Sequence, residues 1–301
     1  MIDVPTLSVL MPVYNAEQYI KAAVDSILNQ TFSDFEFIII NDGSTDGSLT
    51  LLQDYAEKDD RIRLISRENK GLVETLNEGL RLAKAPLIAR MDADDISMPN
   101  RFEKQVDYLS KNLNCLLLGS RVKIIDEDDD ELCEMGDYYS SEELDAGLLA
   151  GKGQLIYHPS IIVRKSVVDL LGGYRDTYPQ VEDLDLFLRI SEVGEIQNLR
   201  EPLLKYREHL TKIGHTAQLK QQKQIHQLLL EAVERRGLTP QYIIFHPLNK
   251  ISEFDRKLMW GWWALGAGNV RTARKYALKV FLTRSLSIRT WRFIICAVRG
   301  R

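Results

Sequence analysis

Between residues 7 and 90, short apolar runs alternate with stretches of helical period: LSVLM, 16–29, FEFIII, 46–57, RIRLI, 72–84 and APLIAR. Strands separated by helix-length segments cannot pair as hairpins. They return to one sheet through crossovers, which makes neighbouring strands parallel. The pattern predicts an α/β fold with a doubly wound, mostly parallel sheet flanked by helices. Such sheets bind ligands in the crevice beyond the carboxyl ends of their strands. The segments at three of those ends, PVYN, NDGSTDGS and DADD, are polar and turn-forming. One shared cleft is expected there.

The DADD segment is the most demanding. Asp92, Asp94 and Asp95 follow an apolar strand directly, and no cation appears until Arg101. Helix N-termini attract carboxylates, and Pro99 marks the first turn of a helix over PNRFEKQVDYL, but the three acids lie several residues ahead of it. Like charges this close raise one another's pKa unless a cation neutralises them. A hard divalent ion, Mg²⁺ or Mn²⁺, shared with a substrate phosphate would do so; the plainer reading is a solvated acidic loop. The other two segments also read as ordinary turns, with Ser44, Thr45 or Asn15 as helix caps and Gly71 as a turn glycine.

Composition narrows the class. The 301 residues are 45% hydrophobic and 27% charged, enough to bury a sizeable core. The net charge of −4 gives no global attraction to nucleic acid or membrane. Cys115, Cys133 and Cys296 form no CxxC pair, which argues against a zinc site or disulfide framework and for a cytoplasmic setting. The opening MIDVPTLSVLMPVYN has no basic run and no long apolar one, so no secretory leader is expected. A Mg²⁺-dependent nucleotidyltransferase would want a glycine-rich loop after the first strand, and LMPVYNAEQY contains no glycine. An aspartyl phosphatase would want its nucleophile there, where no aspartate stands. An inactive binding or scaffold protein of the same fold is the remaining alternative.

Seven motifs occur in order: SVLMPVYN (8–15), NDGSTD (41–46), NKGLVETLN (69–77), ARMDADD (89–95), HPS (158–160), GGY (172–174) and EDLDLFLR (182–189). Together they resemble the family-2 nucleotide-sugar glycosyltransferases of GT-A fold, in the branch that builds bacterial surface polysaccharides. The resemblance spans about residues 6 to 210. It departs from the usual pattern at Asn41, where aspartate is commoner, and at Thr75, where alanine is.

The resemblance implies roles. Pro12, Val13, Tyr14 and Glu17 would line the base and ribose pocket, and Asp42 would accept from the uracil ring nitrogen. Gly71 would allow close approach of the nucleotide. Arg90 and Asp92 would bracket ribose and sugar, Asp94 would ligate Mn²⁺ or Mg²⁺ on the diphosphate, and Asp95 would be a weaker ligand. Lys70 or Arg101 would add phosphate charge. Asp183, and after it Glu182, would be the general base for a saccharide or lipid-linked saccharide acceptor, and the anomeric centre would invert. His209, in YREHLTKIG, falls where a family histidine approaches the metal or the diphosphate; Lys212 and Gly214 stand where serines often follow.

The implied organisation is a GT-A domain over residues 1–215, with a nucleotide half to about 120 and an acceptor half beyond it, then a helical extension over 216–301. EVGEIQNL and PLLKYR read as two strands, and Leu184, Phe187, Leu188 and Val193 as the buried stripe of the helix beginning near Glu182. The run DEDDDE (126–131) reads as a solvated loop before a helix, lacking EF-hand spacing. Residues 216–236 read as a polar helix ended at Gly237. From Arg256 to Arg301 there are eleven Lys or Arg and no acid, on helices of amphipathic period. That tail reads equally as a device for an anionic membrane surface or as a hairpin packed on its own domain. Its uncharged run LMWGWWALGAGNV is too short to span a bilayer. No nucleic acid partner is expected.

Overall fold

A computed structural model describes residues 4–152, 154–210, 212, 218–239 and 251–300. The first half forms the expected crossovers: Leu7–Val13 (β1), Ile20–Leu28 (α1), Phe35–Asp42 (β2), Ser48–Ala56 (α2), Ile62–Arg67 (β3), Leu72–Leu82 (α3) and Leu87–Arg90 (β4). These four strands are parallel, in the order β3-β2-β1-β4. Both faces are covered, so alternate residues feed opposite cores. Val9, Met11, Phe37 and Ile39 pack with Ile20 and Val24 of α1, while Leu10, Ile38 and Ile40 pack with Val73 and Leu76 of α3. Gly79 sits inside α3 despite its cost to a helix, because a Cβ there would lie 2.0 Å from Leu10 Cδ1.

The second half extends the same sheet with mixed pairings. Ile96–Ser97 (β5), Arg101–Lys111 (α4), Cys115–Ile125 (β6), Glu131–Met135 (β7), Ser141–Leu149 (α5), Ile162–Arg164 (β8), Lys165–Leu170 (α6), Glu182–Ser191 (α7) and Glu195–Arg207 (β9) follow. The order continues β4-β8-β6-β9-β5, with β7 also on β6. The two strands expected over 192–199 and 202–207 are one strand, β9. The register against β6 jumps from Ser120↔Leu199 to Arg121↔Pro202, so the apparent break is a bulge that accommodates a proline inside a sheet. On α7, Leu186, Phe187, Leu188 and Ile190 are buried; Val193 lies past the helix end and is half exposed.

The polar helix is Gln218–Arg235 (α8), ended by Gly237 at φ +63°; residues 216 and 217 lie outside the described residues. Three further helices close the chain: Glu253–Gly266 (α9), Val270–Thr283 (α10) and Ile288–Arg299 (α11). Their inner faces join the sheet's own core through Phe254, Leu258, Trp260, Tyr276 and Phe293.

The acidic run 126–131 departs from expectation in two ways. A strand, β7, follows it rather than a helix, and the run is not simply solvated. Asp126 is fully buried; its Oδ1 accepts from the Asp128 and Asp130 amides, and its Oδ2 from Lys275 Nζ at 2.6 Å and the Tyr276 hydroxyl at 3.0 Å. Lys275 also reaches Asp128 at 2.8 Å and Asp130 at 2.6 Å, and Lys279 reaches Glu127 at 2.8 Å. The basic tail thus uses part of its charge on this hairpin. Its outer face stays apolar and exposed: Leu282 is 75% exposed, Ile288 84% and Trp291 50%. Among the described residues, no helix is long and apolar enough to cross a membrane.

Candidate active site

The loops after β1 and β2 are laced together by side-chain to backbone bonds. Asn15, at φ +50°, accepts from the Thr45 amide at 2.8 Å, and its own amide donates to Ser44 Oγ at 3.0 Å. Glu17 Oε2 accepts from the Gly47 amide at 2.8 Å. Glu17 therefore ties the two loops, beside half-buried Pro12, buried Val13 and exposed Tyr14.

Asp42 ends β2. Its Oδ1 accepts from the Lys70 amide at 2.8 Å and its Oδ2 from the Gly71 amide at 3.0 Å. Arg67, from the end of β3, also pairs with Oδ1, and is itself held by Glu78 at 2.6 Å and Thr75 Oγ1 at 2.9 Å. A carboxylate oxygen can accept two bonds, so Oδ2 keeps one direction for a ligand. Gly71 adopts φ +85° and ψ 164°, a region essentially confined to glycine. A Cβ built there meets nothing within 4 Å, so the space over it is open. Both departures from the family pattern have local reasons. The Thr75 hydroxyl accepts from Arg67 and donates to the Gly71 carbonyl at 2.8 Å. Asn41 donates to Ser66 Oγ at 2.9 Å and accepts from the Ser44 amide at 3.3 Å, a pairing that an aspartate lacks the N–H to make.

The acidic loop lies between β4 and β5, and β5 pairs with β9 through Ile96↔Lys205 and Ser97↔Leu204. That pairing brings the end of β9 to the carboxylates. The Arg207 amide donates to Asp95 Oδ1 at 2.8 Å, and Arg207 Nε donates to the Asp94 carbonyl at 2.7 Å. His209 Nε2 lies 3.0 Å from Asp94 Oδ2, Lys212 Nζ lies 4.0 Å from it, and Arg90 pairs with Asp92 at 2.7 Å. Carboxylate oxygens of Asp92, Asp94 and Asp95 all fall within 4.8 Å of one another. Burial would push Asp94 up, but Lys212 and His209 outweigh it and hold the carboxyl at about 2. Asp95 goes the other way: burial and the neighbouring aspartates drive it well up despite Lys212. Its Oδ2 is buried without a hydrogen-bond partner. An orphaned buried acceptor beside two more carboxylates fits a hard divalent ion, which Asp92, Asp94 and Asp95 would hold.

Glu182 and Asp183 begin α7. Glu182 is 6% exposed, and burial together with Asp183 raises its carboxyl to about 8, with its own backbone amide and Arg90 opposing. Burial also raises Asp183, against a bond from the Leu184 amide to its Oδ1 at 2.7 Å. Arg90 and Asp92 act on both acids, so the acidic loop and the α7 terminus form one electrostatic cluster. His158 Nε2 meets the Tyr174 hydroxyl at 2.8 Å. Burial and Arg90 hold this histidine well below its ordinary range, so it is neutral. Asp185 is structural: it is fully buried against Arg175 and, at 2.7 Å, Arg189.

Lys70 is exposed beside Asp42. Arg101 corrects the expectation of a second phosphate cation. It is fully buried, donating to Gln105 Oε1 at 3.0 Å and to the Arg90 and Ile161 carbonyls at 2.9 and 3.1 Å. Burial pushes its guanidinium down to about 9. Sequence reasoning missed Arg67, whose only signal was its place at the end of β3, and the role of Lys212, visible only as a departure from the serine pattern.

The model of glycosyl transferase family 2 matches residues 8–170. The O-antigen biosynthesis glycosyltransferase WbnJ of Escherichia coli is 37% identical over 207 residues, 67% of this chain and 80% of that protein. Staphylococcus aureus TarS 1–349, solved with UDP-GlcNAc, superposes with a TM-score of 0.63 at 14% identity, covering 97% of this chain and 79% of that one. The mannosyltransferase PcManGT of Pyrobaculum calidifontis, solved with GDP-Man and Mn²⁺, gives 0.58 at 20% identity, covering 99% and 87%.

The raised Glu182 carboxyl makes a testable statement about stability. Its pKa rises from an ordinary 4.5 to about 8 in the fold, so the stability it contributes is complete below about 4.5 and is lost as pH rises through about 8. Metal-free Glu182→Gln is expected to melt like the parent near pH 4 and at least ~2 °C above it near pH 9. Calorimetric melts with the same offset at both pH values would contradict the assignment.

Proposed function

The chain belongs to glycosyl transferase family 2, with a GT-A fold, and from that membership we propose that it moves a sugar from a UDP-sugar to a saccharide or lipid-linked saccharide with inversion, in surface polysaccharide biosynthesis. The observation that carries the reading is the single cluster formed by Asp92, Asp94 and Asp95 with Arg90, Glu182 and Asp183 at the strand ends. The UDP-GlcNAc complex of the TarS neighbour and the O-antigen role of WbnJ support donor and pathway. In this reading residues 1–215 carry the chemistry, and the helices α8 to α11 follow them and pack on the same sheet.

In this reading the loops carrying Pro12, Val13, Tyr14 and Glu17 face base and ribose, and Asp42 Oδ2 accepts from the uracil ring. Asp94, with Asp92 and Asp95 beside it, holds Mn²⁺ or Mg²⁺, and His209 orients Asp94. The ion, when bound, stabilises charge on the departing diphosphate. Burial and Asp183 raise the Glu182 carboxyl to about 8, and Asp183 has its Oδ1 fixed by the Leu184 amide. Asp183 then takes the proton of the acceptor hydroxyl as its oxygen attacks the anomeric carbon and the bond to the diphosphate breaks.

The tail has a second role. Leu278, Leu282, Ile288, Trp291 and Ile295 form the exposed face of α10 and α11, with Phe281 and Trp291 in contact between the helices. With Arg292 and Arg299 on α11, this face rests on an anionic membrane at its cytoplasmic side. Truncation would strip Phe254 and Phe293 from the core, so surface substitutions are the cleaner test.

Three outcomes are expected. Asp94→Asn abolishes transfer and weakens UDP binding only when Mn²⁺ or Mg²⁺ is present, measured by calorimetry with and without chelator; full activity would exclude the metal assignment. Asp183→Asn loses about 10²–10⁴-fold in turnover with donor affinity intact, and NMR of product from an α-linked donor reads a β linkage. An α-linked product would rule out single displacement. Leu282→Glu/Ile288→Glu keeps UDP binding but no longer pellets with phosphatidylglycerol vesicles; unchanged pelleting would remove the membrane role.

A further inference from the structure

Lys212 is a charged side chain packed into the acidic site. Its ammonium donates to the Arg207 carbonyl at 2.6 Å, sits 3.4 Å from the centre of the Tyr206 ring and lies 4.0 Å from Asp94 Oδ2. The side chain is only 15% exposed. Burial opposes its charge, but Tyr206, Asp94, Asp95 and Asp92 outweigh burial and hold it protonated, well above the ordinary lysine range.

Two of its partners, Tyr206 and Arg207, lie on β9, the strand that β5 fixes against the acidic loop. The ammonium is therefore held by groups whose positions the sheet already sets. Three carboxylates with oxygens within 4.8 Å repel one another strongly, and a cation at this distance from Asp94 relieves that repulsion. A serine, which the resemblance leads one to expect at this position, brings no charge and could not do so.

We propose that Lys212 is a resident counter-cation of the acidic loop, which a divalent ion must displace from Asp94 in order to bind. This rests on the metal reading above. An ammonium and a divalent cation against the same carboxylates repel each other, so the ion binds a nucleotide-free protein weakly. The displaced ammonium can then serve the diphosphate, whose arrival with the ion supplies it with a new anionic partner. Metal and nucleotide binding become coupled through one lysine.

The test is Mn²⁺ binding to the full chain without nucleotide, read by electron paramagnetic resonance of the free ion. Lys212→Met should bind Mn²⁺ about tenfold or more tightly than the parent, because one opposing charge is gone, while Lys212→Arg should stay near the parent. Should Lys212→Met lose its cooperative melt, Lys212→Gln takes its place; in either neutral variant, Mn²⁺ but not matched NaCl should restore melting temperature. Equal or weaker Mn²⁺ binding in the neutral variants, with the parent still binding, overturns the role of Lys212 alone. If neither parent nor variants bind Mn²⁺, with UDP or without it, the metal reading fails and this inference with it.

Discussion

Mutual repulsion among Asp92, Asp94 and Asp95 is the constraint around which the rest of the site is arranged. Each carboxylate has a separate compensating group. Arg90 from β4 answers Asp92, His209 and Lys212 answer Asp94, and the Arg207 amide answers Asp95. Two of these three answers come from the end of β9, more than a hundred residues away in the chain. They arrive only because β5, two residues long, pairs with β9. A short strand thus decides whether the acidic loop is tolerable, and the antiparallel edge of the sheet serves the site more than it serves the core.

The parallel half was readable because buried strands and crossover helices carry period and length in their own residues. Val9 and Met11 against Leu10 already separate two cores by alternation. The second half was harder, since its pairings are long-range. Nothing local in EVGEIQNL and PLLKYR distinguishes two strands from one strand with a bulge at Pro202, and nothing in DEDDDE states that Lys275, about 150 residues later, will bury Asp126. The motifs fall at strand ends, yet several of their side chains are already occupied. Glu17 and Asp42 hold loops through backbone amides, and Arg101 supports backbone carbonyls. Residue type announces that a group is polar; only its neighbours decide whether it has bonds to spare.

The tail shows the same principle with charge. A count of eleven basic residues without an acid suggested a surface seeking anions. The hairpin at 126–131 satisfies Lys275 and Lys279, and Arg274 donates to the Ala297 and Val298 carbonyls at 3.2 and 2.9 Å. Lys257 pairs with Glu253 and Arg289 with Asp255, while Leu282, Ile288 and Trp291 stay exposed. The inner face of these helices packs on the domain, as the hairpin reading expects, and the outer face is apolar without a covering element among the described residues.

Buried polar groups in native proteins are nearly always hydrogen-bonded, and leaving one unmet costs about 1–3 kcal/mol. The site leaves two kinds unmet. Asp95 Oδ2 is an acceptor without a donor, and Arg90 Nε and Nη1 are donors without an acceptor. They do not cancel, because Arg90 is already committed to Asp92 through Nη2, and Asp95 Oδ1 is committed to the backbone of β9. A ligand that is only a cation would answer Asp95 and leave Arg90 bare; a ligand that is only an anion would do the reverse and add to the negative charge of the loop. A metal-bound diphosphate sugar brings a cation and acceptor oxygens together. The unmet groups of both signs would suit a ligand that carries a cation and acceptor oxygens together.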